Sequence, residues 1–177
     1  MYNMEQRIKT AVRDVPDFPK PGILFKDITP ILKDYALCHD IVQVMADQVR
    51  PWKPDGVAGI ESRGFLFGVG LAEALAVPFI PVRKLGKLPY ETITHKYDLE
   101  YGSAEVEMHV DAFQPGARIL IHDDLLATGG TAQAAAALIK KAKGEIAGFI
   151  FLIHLSFLSG NTRLAEYSEH IHSLVEY

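Results

Sequence analysis

The stretch Ile119-Leu-Ile-His-Asp-Asp-Leu-Leu-Ala-Thr-Gly-Gly-Thr131 decides the fold. Residues 118–122 form a short apolar run rich in branched side chains, which is typical of a strand buried on both faces of a parallel sheet. Two acids open a loop predicted over residues 123–130, and the pair of glycines in this loop leads into an alanine-rich helix predicted over residues 131–143. Because ligands of open parallel sheets bind beyond the carboxyl ends of the strands, this stretch predicts a binding site there.

The alternation of strands and helices continues on both sides of this stretch. Residues 92–99 and 105–110 alternate polar and apolar side chains, which predicts a β-hairpin. Prolines and Gly22 punctuate residues 15–31, which are therefore predicted to be a structured loop. Together the patterns predict an α/β fold with a mostly parallel sheet flanked by helices. Further strands are predicted at residues 56–60, 78–82, 146–155 and 172–175, and helices at residues 5–12, 37–50 and 65–75.

Length and composition narrow the class of protein. The 177 residues suit one domain spanning residues 1–177, and the net charge of -4 offers no general attraction for nucleic acid. The one cysteine, Cys38, excludes an internal disulfide and a cysteine metal cluster, which fits a reducing cytoplasm. Residues 1–10 lack the apolar core of a signal peptide, and the longest apolar run, residues 146–155, is too short to span a bilayer. We therefore expect no nucleic-acid partner and no membrane partner.

The residues around the two glycines suit a phosphate monoester beside a sugar. The N-terminus of a helix offers unpaired N–H groups and the positive end of the helix dipole, and Gly129 and Gly130 allow close approach of the backbone. The hydroxyls of Thr128 and Thr131 add donors. The two adjacent acids would repel phosphate but can accept hydrogen bonds from ribose hydroxyls. An ordinary capped helix is the alternative for the Gly-Gly-Thr run alone, although it does not explain paired acids after a buried strand.

Two further segments carry cations just after predicted strands. Glu61-Ser-Arg-Gly-Phe-Leu-Phe-Gly68 is a tight turn leading into a helix, and Arg63 is a candidate pyrophosphate ligand because guanidinium offers several fixed donors. Arg83, Lys84 and Lys87 follow the next strand and are candidates for the same role. On the residues alone, a surface arginine and a solvated basic patch remain open as alternatives.

The acid–glycine run resembles the phosphoribosyl pyrophosphate signature of the type I phosphoribosyltransferases, and it is most similar to the members that act on adenine. The likeness extends from Phe18 to about Leu155. It implies the type I phosphoribosyltransferase fold, with a small N-terminal hood mainly in residues 1–35 plus the C-terminal segment. It also implies a flexible catalytic loop on the hairpin, at about residues 86–103.

The resemblance assigns roles around the sugar and the phosphates. It implies that Asp123 and Asp124 hold the ribose hydroxyls and take part in catalysis. Arg63 is also implied to be catalytic, and it would bind pyrophosphate together with Arg83, Lys84 and Lys87. In the same site the Glu61–Ser62 peptide is expected to be strained and cis. The residues expected to wrap the 5′-phosphate are Ala127, Thr128, Gly129, Gly130 and Thr131.

The resemblance places the base in the hood. Phe25 would stack on one face of the purine ring and Leu155 would pack on the other, while backbone groups of Leu24 and Lys26 would read its edge. Relatives often carry arginine where this chain has Lys26, so a role for that side chain would leave the choice of base open. Simple core packing is the alternative for Phe25 and Leu155.

The resemblance also implies a cover for the site. Glu100 would transfer a proton to or from the base, and Tyr101 would help to exclude water that could otherwise hydrolyse a reactive sugar cation. A solvent-exposed hairpin is the alternative for both residues.

The implied reaction transfers the 5-phosphoribosyl group from phosphoribosyl pyrophosphate to adenine, giving AMP and pyrophosphate in purine salvage. Mg²⁺ would be held mainly by pyrophosphate and ribose oxygens, with no dedicated protein ligands. A homodimer is implied by the resemblance alone. A 6-oxopurine phosphoribosyltransferase and a non-catalytic regulator that senses phosphoribosyl pyrophosphate are the alternatives.

Overall fold

The computed structural model describes residues 3–98 and 103–177. The strands are β1 (Arg13–Pro16), β2 (Leu24–Asp27), β3 (Gly56–Ile60), β4 (Phe79–Lys84), β5 (Thr92–Asp98), β6 (Ser103–His109), β7 (Arg118–Leu126), β8 (Glu145–His154) and β9 (Ile171–Glu176). The helices are α1 (Met4–Ala11), α2 (Tyr35–Val49), α3 (Gly64–Leu75), α4 (Gly130–Lys141) and α5 (Gly160–Leu164), with 3-10 turns at Ile31–Lys33, Arg50–Trp52 and Ser156–Leu158. Among the described helices, none is long and apolar enough to cross a membrane.

A seven-stranded sheet in the order β5-β6-β4-β3-β7-β8-β9 forms the centre of the fold. Strands β4, β3, β7, β8 and β9 are parallel, which confirms the predicted sheet. In β7, Ile119 and Ile121 pack with α4 on one face, whereas Leu120 packs with α1, α2 and α3 on the other. Because successive side chains of a strand point to opposite faces, the unbroken apolar run is explained by burial on both sides.

The predicted hairpin forms the antiparallel edge of this sheet. Strand β5 pairs with β6, and β6 pairs with β4 through Arg83 opposite Glu107 and Lys84 opposite Val106. The predicted loop residues Glu100 and Tyr101 lie outside the described residues.

Two sequence predictions need correction. Residues 15–31 were predicted to be a loop, but β1 and β2 pair there as an antiparallel ribbon; residues 13–27 are called the hood ribbon below. The prolines hid this strand signal, since proline cannot donate to a ladder and is tolerated in strands only at edges and ends. Residues 123–130 were also predicted to be a loop, but β7 continues to Leu126, so the two acids belong to the strand.

Candidate active site

The carboxyl ends of β3 and β7 lie side by side because these strands pair in parallel, with Gly59 opposite His122. The turn after β3 therefore meets the acids at the end of β7. In this turn the Glu61–Ser62 peptide is cis, as the resemblance implied. A polar cavity of about 370 Å³ lies at the junction and is lined by Glu61, Ser62, Arg63, Lys84, Tyr97, Asp123 and Thr131.

Residues 127–131, called the phosphate loop after their predicted role, border a smaller cavity of about 80 Å³. Gly129 precedes α4 with a φ of 79°, a left-handed conformation that favours glycine. No side chain of the described residues caps α4, so its first N–H groups are available to an anion. The lining includes all five residues predicted to wrap a phosphate: Ala127, Thr128, Gly129, Gly130 and Thr131.

Gly160 supports the phosphate loop and was missed by the sequence analysis. A Cβ added to Gly160 would overlap the carbonyl oxygen of Ala127 and would lie 3.0 Å from the backbone nitrogen of Gly129. Gly160 begins α5, far along the chain from the phosphate loop, so no local pattern connects the two segments. A glycine is required here because two backbones approach each other closely.

Asp123 and Asp124 lie near the end of β7, and Asp123 lines both cavities described above whereas Asp124 lines neither. Asp124 is 1% exposed, and neither of its carboxylate oxygens has a hydrogen-bond partner among the described residues, although Arg63 Nε lies 3.2 Å from Asp124 Oδ2. Burial raises the pKa of Asp123 well above its ordinary value, and the charge of Asp124 raises it further. Burial also raises the pKa of Asp124, an effect that Arg63 opposes. Such carboxylates would gain from hydroxyl donors, which a ribose supplies.

The three predicted cations have different surroundings, and two of them, Arg83 and Lys84, end β4 instead of following it. Lys84 lines the polar cavity. The guanidinium of Arg83 is bound to protein, because its Nε lies 3.1 Å from Glu61 Oε2 and its Nη1 donates to the carbonyl oxygen of Lys87 at 3.0 Å. The backbone N–H of Lys87 donates at 2.7 Å to Glu107, a buried carboxylate that the sequence analysis missed. Anion binding by Arg83 and Lys87 stays a prediction.

An apolar cavity of about 400 Å³ lies against the hood ribbon. Phe25 forms part of its wall, and Phe18 packs edge-on against Phe25 with the ring centroids 5.1 Å apart. The Cζ atom of Arg63 lies 5.4 Å from the Phe25 ring centroid. An aromatic wall in an apolar cavity suits a flat heterocycle. The lining residues are Val15, Phe18, Phe25, Asp27, Ile28, Thr29, Arg63 and Leu66.

The other predicted base contacts do not line this cavity. Successive side chains of β2 point to opposite faces, so Phe25 faces the cavity while Lys26 turns away and binds Asp14, with 2.7 Å between Nζ and Oδ1. Leu24 is half exposed. Leu155 packs, partly buried, against the core cluster on the α1–α3 face of the sheet.

Comparisons with known proteins agree with this geometry. Residues 26–174 match the family model of the phosphoribosyl transferase domain. The chain is 59% identical to an adenine phosphoribosyltransferase of Cytophaga hutchinsonii over 174 residues, covering 98% of this chain and 96% of that protein. The crystal structure of adenine phosphoribosyltransferase from Thermoanaerobacter pseudethanolicus matches with a TM-score of 0.94 and 47% identity, covering 99% of this chain and 100% of that one.

A further solved structure is that of adenine phosphoribosyltransferase from Saccharomyces cerevisiae, complexed with D-2,5-dideoxy-2,5-imino-altritol 1,6-bisphosphate and adenine. It matches with a TM-score of 0.91 and 38% identity, and the match covers 97% of this chain and 98% of that one.

Proposed function

The chain belongs to the adenine phosphoribosyltransferase family, and from this premise we infer that it makes AMP and pyrophosphate from adenine and phosphoribosyl pyrophosphate. The bond between the anomeric carbon and a pyrophosphate oxygen breaks, and a bond between that carbon and a nitrogen of adenine forms. The reaction serves purine salvage because it converts a free base into a nucleotide.

The observation that carries this function is the position of Arg63 between two unlike cavities. Arg63 lines the apolar cavity, where it lies over the Phe25 ring, and it also lines the polar cavity beside Asp123. A base and a phosphorylated sugar bound in these two cavities would meet at Arg63. Holding both reactants at this junction would convert a bimolecular reaction into an effectively unimolecular one.

The reaction needs charge stabilisation more than a nucleophile. As pyrophosphate leaves, positive charge develops at the sugar, which the carboxylates of Asp123 and Asp124 would stabilise while they hold the ribose hydroxyls. Arg63 and Lys84 would bind the departing pyrophosphate, together with Arg83 and Lys87 if the contacts of Arg83 with Glu61 open. The assignment of proton transfer to Glu100 and of cover to Tyr101 rests on the family resemblance.

We propose that Mg²⁺ accompanies the pyrophosphate. The donor set fits such an ion, because Asp123 and Glu61 supply hard oxygen atoms around the polar cavity. No cluster of three or more histidine, cysteine or acidic residues suited to a metal is found within residues 3–98 and 103–177. When bound, the ion would neutralise charge on the leaving group.

We also propose a homodimer that works in the cytoplasm. Helix α3 exposes Val69 and also Leu66, which borders the apolar cavity; they lie three residues apart and therefore on one face of the helix. A second copy of the chain could cover this apolar face. Sedimentation of the wild type beside a Val69→Glu variant tests the dimer, which the charge should dissociate. The cytoplasm is supported by the free thiol of Cys38.

The first experiment combines purified protein, Mg²⁺ and phosphoribosyl pyrophosphate with adenine, hypoxanthine or guanine in separate reactions. Formation of AMP alone is the expected result. Efficient formation of IMP or GMP would refute the assignment of adenine, and tight binding of phosphoribosyl pyrophosphate without any product would indicate a sensor.

A further inference from the structure

The ring of Tyr177 contacts the hood ribbon through a lysine. Lys26 Nζ lies 4.0 Å from the centroid of the Tyr177 ring, a distance at which an ammonium group is attracted to an aromatic face. Lys26 also binds Asp14, the residue directly opposite it in the hood ribbon. The Lys26 side chain is only 11% exposed, which is unusual for lysine.

The backbone of Tyr177 is bound to the residues on both sides of Leu155. Its N–H donates to the carbonyl oxygen of His154 at 3.0 Å. Its carbonyl oxygen accepts from the backbone N–H of Ser156 at 3.0 Å and from Ser156 Oγ at 2.9 Å. Tyr177 therefore connects the segment that carries Leu155 with Lys26, the neighbour of Phe25. Phe25 and Leu155 are the two residues predicted to face the base.

The Tyr177 phenol is protonated, and two ammonium groups lie near its ring. Burial raises the pKa of the phenol, and the charge of Asp14 raises it further, so the ring is neutral at pH 7. A second ammonium group, Lys9 Nζ, lies 5.6 Å from the ring centroid and is paired with Glu5. Lys26 is thus the nearer of the two ammonium groups and the one that belongs to the hood ribbon.

We propose that Lys26, Asp14 and Tyr177 form a latch that holds the hood ribbon on the sheet and thereby positions Phe25 and Leu155 around the base. The three are positioning residues, because none of them lines the cavities described above. The inference rests on the proposed function, since it takes adenine as the occupant of the apolar cavity. It assigns the Lys26 side chain a role outside base recognition.

The test compares variants that break the latch with variants that preserve it. Lys26→Met removes the charge and keeps the length of the side chain, and Tyr177→Leu removes the ring. Lys26→Arg and Tyr177→Phe preserve the cation and the ring, and Lys33→Met changes an exposed lysine as a matched control. The measurements are kcat, the KM values for adenine and for phosphoribosyl pyrophosphate, and amide hydrogen exchange of residues 13–27 in the free protein.

Each breaking variant should raise the KM for adenine about five- to tenfold, with kcat and the KM for phosphoribosyl pyrophosphate changed by less than about twofold. Amides of the hood ribbon should exchange faster. The double variant should be no worse than the worse single variant, because the two substitutions remove one interaction. Lys26→Arg and Tyr177→Phe should keep the KM for adenine and the amide exchange of the hood ribbon at the wild-type values.

Two results would overturn the latch. One is unchanged hydrogen exchange in the hood ribbon of Lys26→Met and Tyr177→Leu, and the other is an equal loss for both substrates, which indicates general damage. A wild-type protein that makes no AMP would refute the proposed function instead, and hydrogen exchange would still decide whether the latch exists.

Discussion

The phosphate loop and the hood ribbon are constructed in opposite ways. The phosphate loop is one continuous segment that joins a central strand to a buried helix, so the core holds it on both sides. The hood ribbon has two short strands, and a two-stranded ribbon is marginal unless other elements support it. Its partners, Arg63 and Tyr177, are distant in sequence. Local sequence thus specifies the proposed phosphate site, whereas the proposed base site is assembled from separate segments.

The largest effect is expected in the phosphate loop, from Gly129→Ala. The new Cβ would lie 2.6 Å from the carbonyl oxygen of Gly160 on a residue with a φ of 79°. We expect kcat/KM for phosphoribosyl pyrophosphate to fall about 100-fold, because the backbone donors move. Gly116→Ala is the matched control, since its φ is 87° but a Cβ there meets nothing within 4 Å. Equal losses in the two variants would show that backbone strain alone is responsible.

The next effect is expected at Arg63, where the two regions meet. Arg63→Gln should lower kcat/KM for both substrates about 30-fold, because it removes a charge-assisted contact with the leaving group. Since Arg63 opposes the raised pKa of Asp124, its loss should keep this carboxyl protonated to higher pH. The acid limb of the pH–rate profile should therefore move to higher pH. If the acid limb stays in place, Asp124 is not the group whose titration sets that limb. The matched control is Arg50→Gln, which removes the charge of an exposed arginine.

A smaller and more selective effect is expected in the hood ribbon. Phe25→Ala should raise the KM for adenine about tenfold, because stacking of a base on an aromatic ring contributes about 1–3 kcal/mol. The KM for phosphoribosyl pyrophosphate should stay unchanged, in contrast to Gly129→Ala. Phe25→Leu keeps apolar area without a ring and should give an intermediate value. Steady-state kinetics with each substrate varied in turn measure both KM values. A rise in both KM values would contradict the separation of the two regions.

His122 is buried in β7 just before the acids. There we expect the smallest effect on activity, and the prediction concerns stability instead. Its Nδ1 lies 2.9 Å from the carbonyl oxygen of Ile150, and burial lowers the pKa of His122 from 6.5 to about 4. The unfolded chain therefore binds more protons between these values. As the pH falls through this window, the free energy of unfolding should fall by up to about 3 kcal/mol.

Urea unfolding at several pH values measures this effect. His122→Leu should remove this part of the slope, and His39→Gln, at an exposed histidine, should retain it. A slope unchanged in His122→Leu would assign the acid sensitivity to other groups.

The sequence by itself determined the parallel α/β core and the phosphate loop. Both depend on short-range patterns: an apolar run requires burial on two faces, and paired acids with glycines at a helix N-terminus define donors and acceptors within one segment. The hairpin at residues 92–110 was predicted for the same reason, since alternation along each strand is local.

Only the tertiary structure decided which side chains reach the site. It turned Lys26 away from Phe25, paired Arg83 with Glu61, and brought Gly160 against the phosphate loop. It also showed β1 and β2 where prolines had hidden strands. The physical reason is that cross-strand pairing, ion pairs and close backbone approach join residues far apart in the chain, and no local periodicity encodes those contacts.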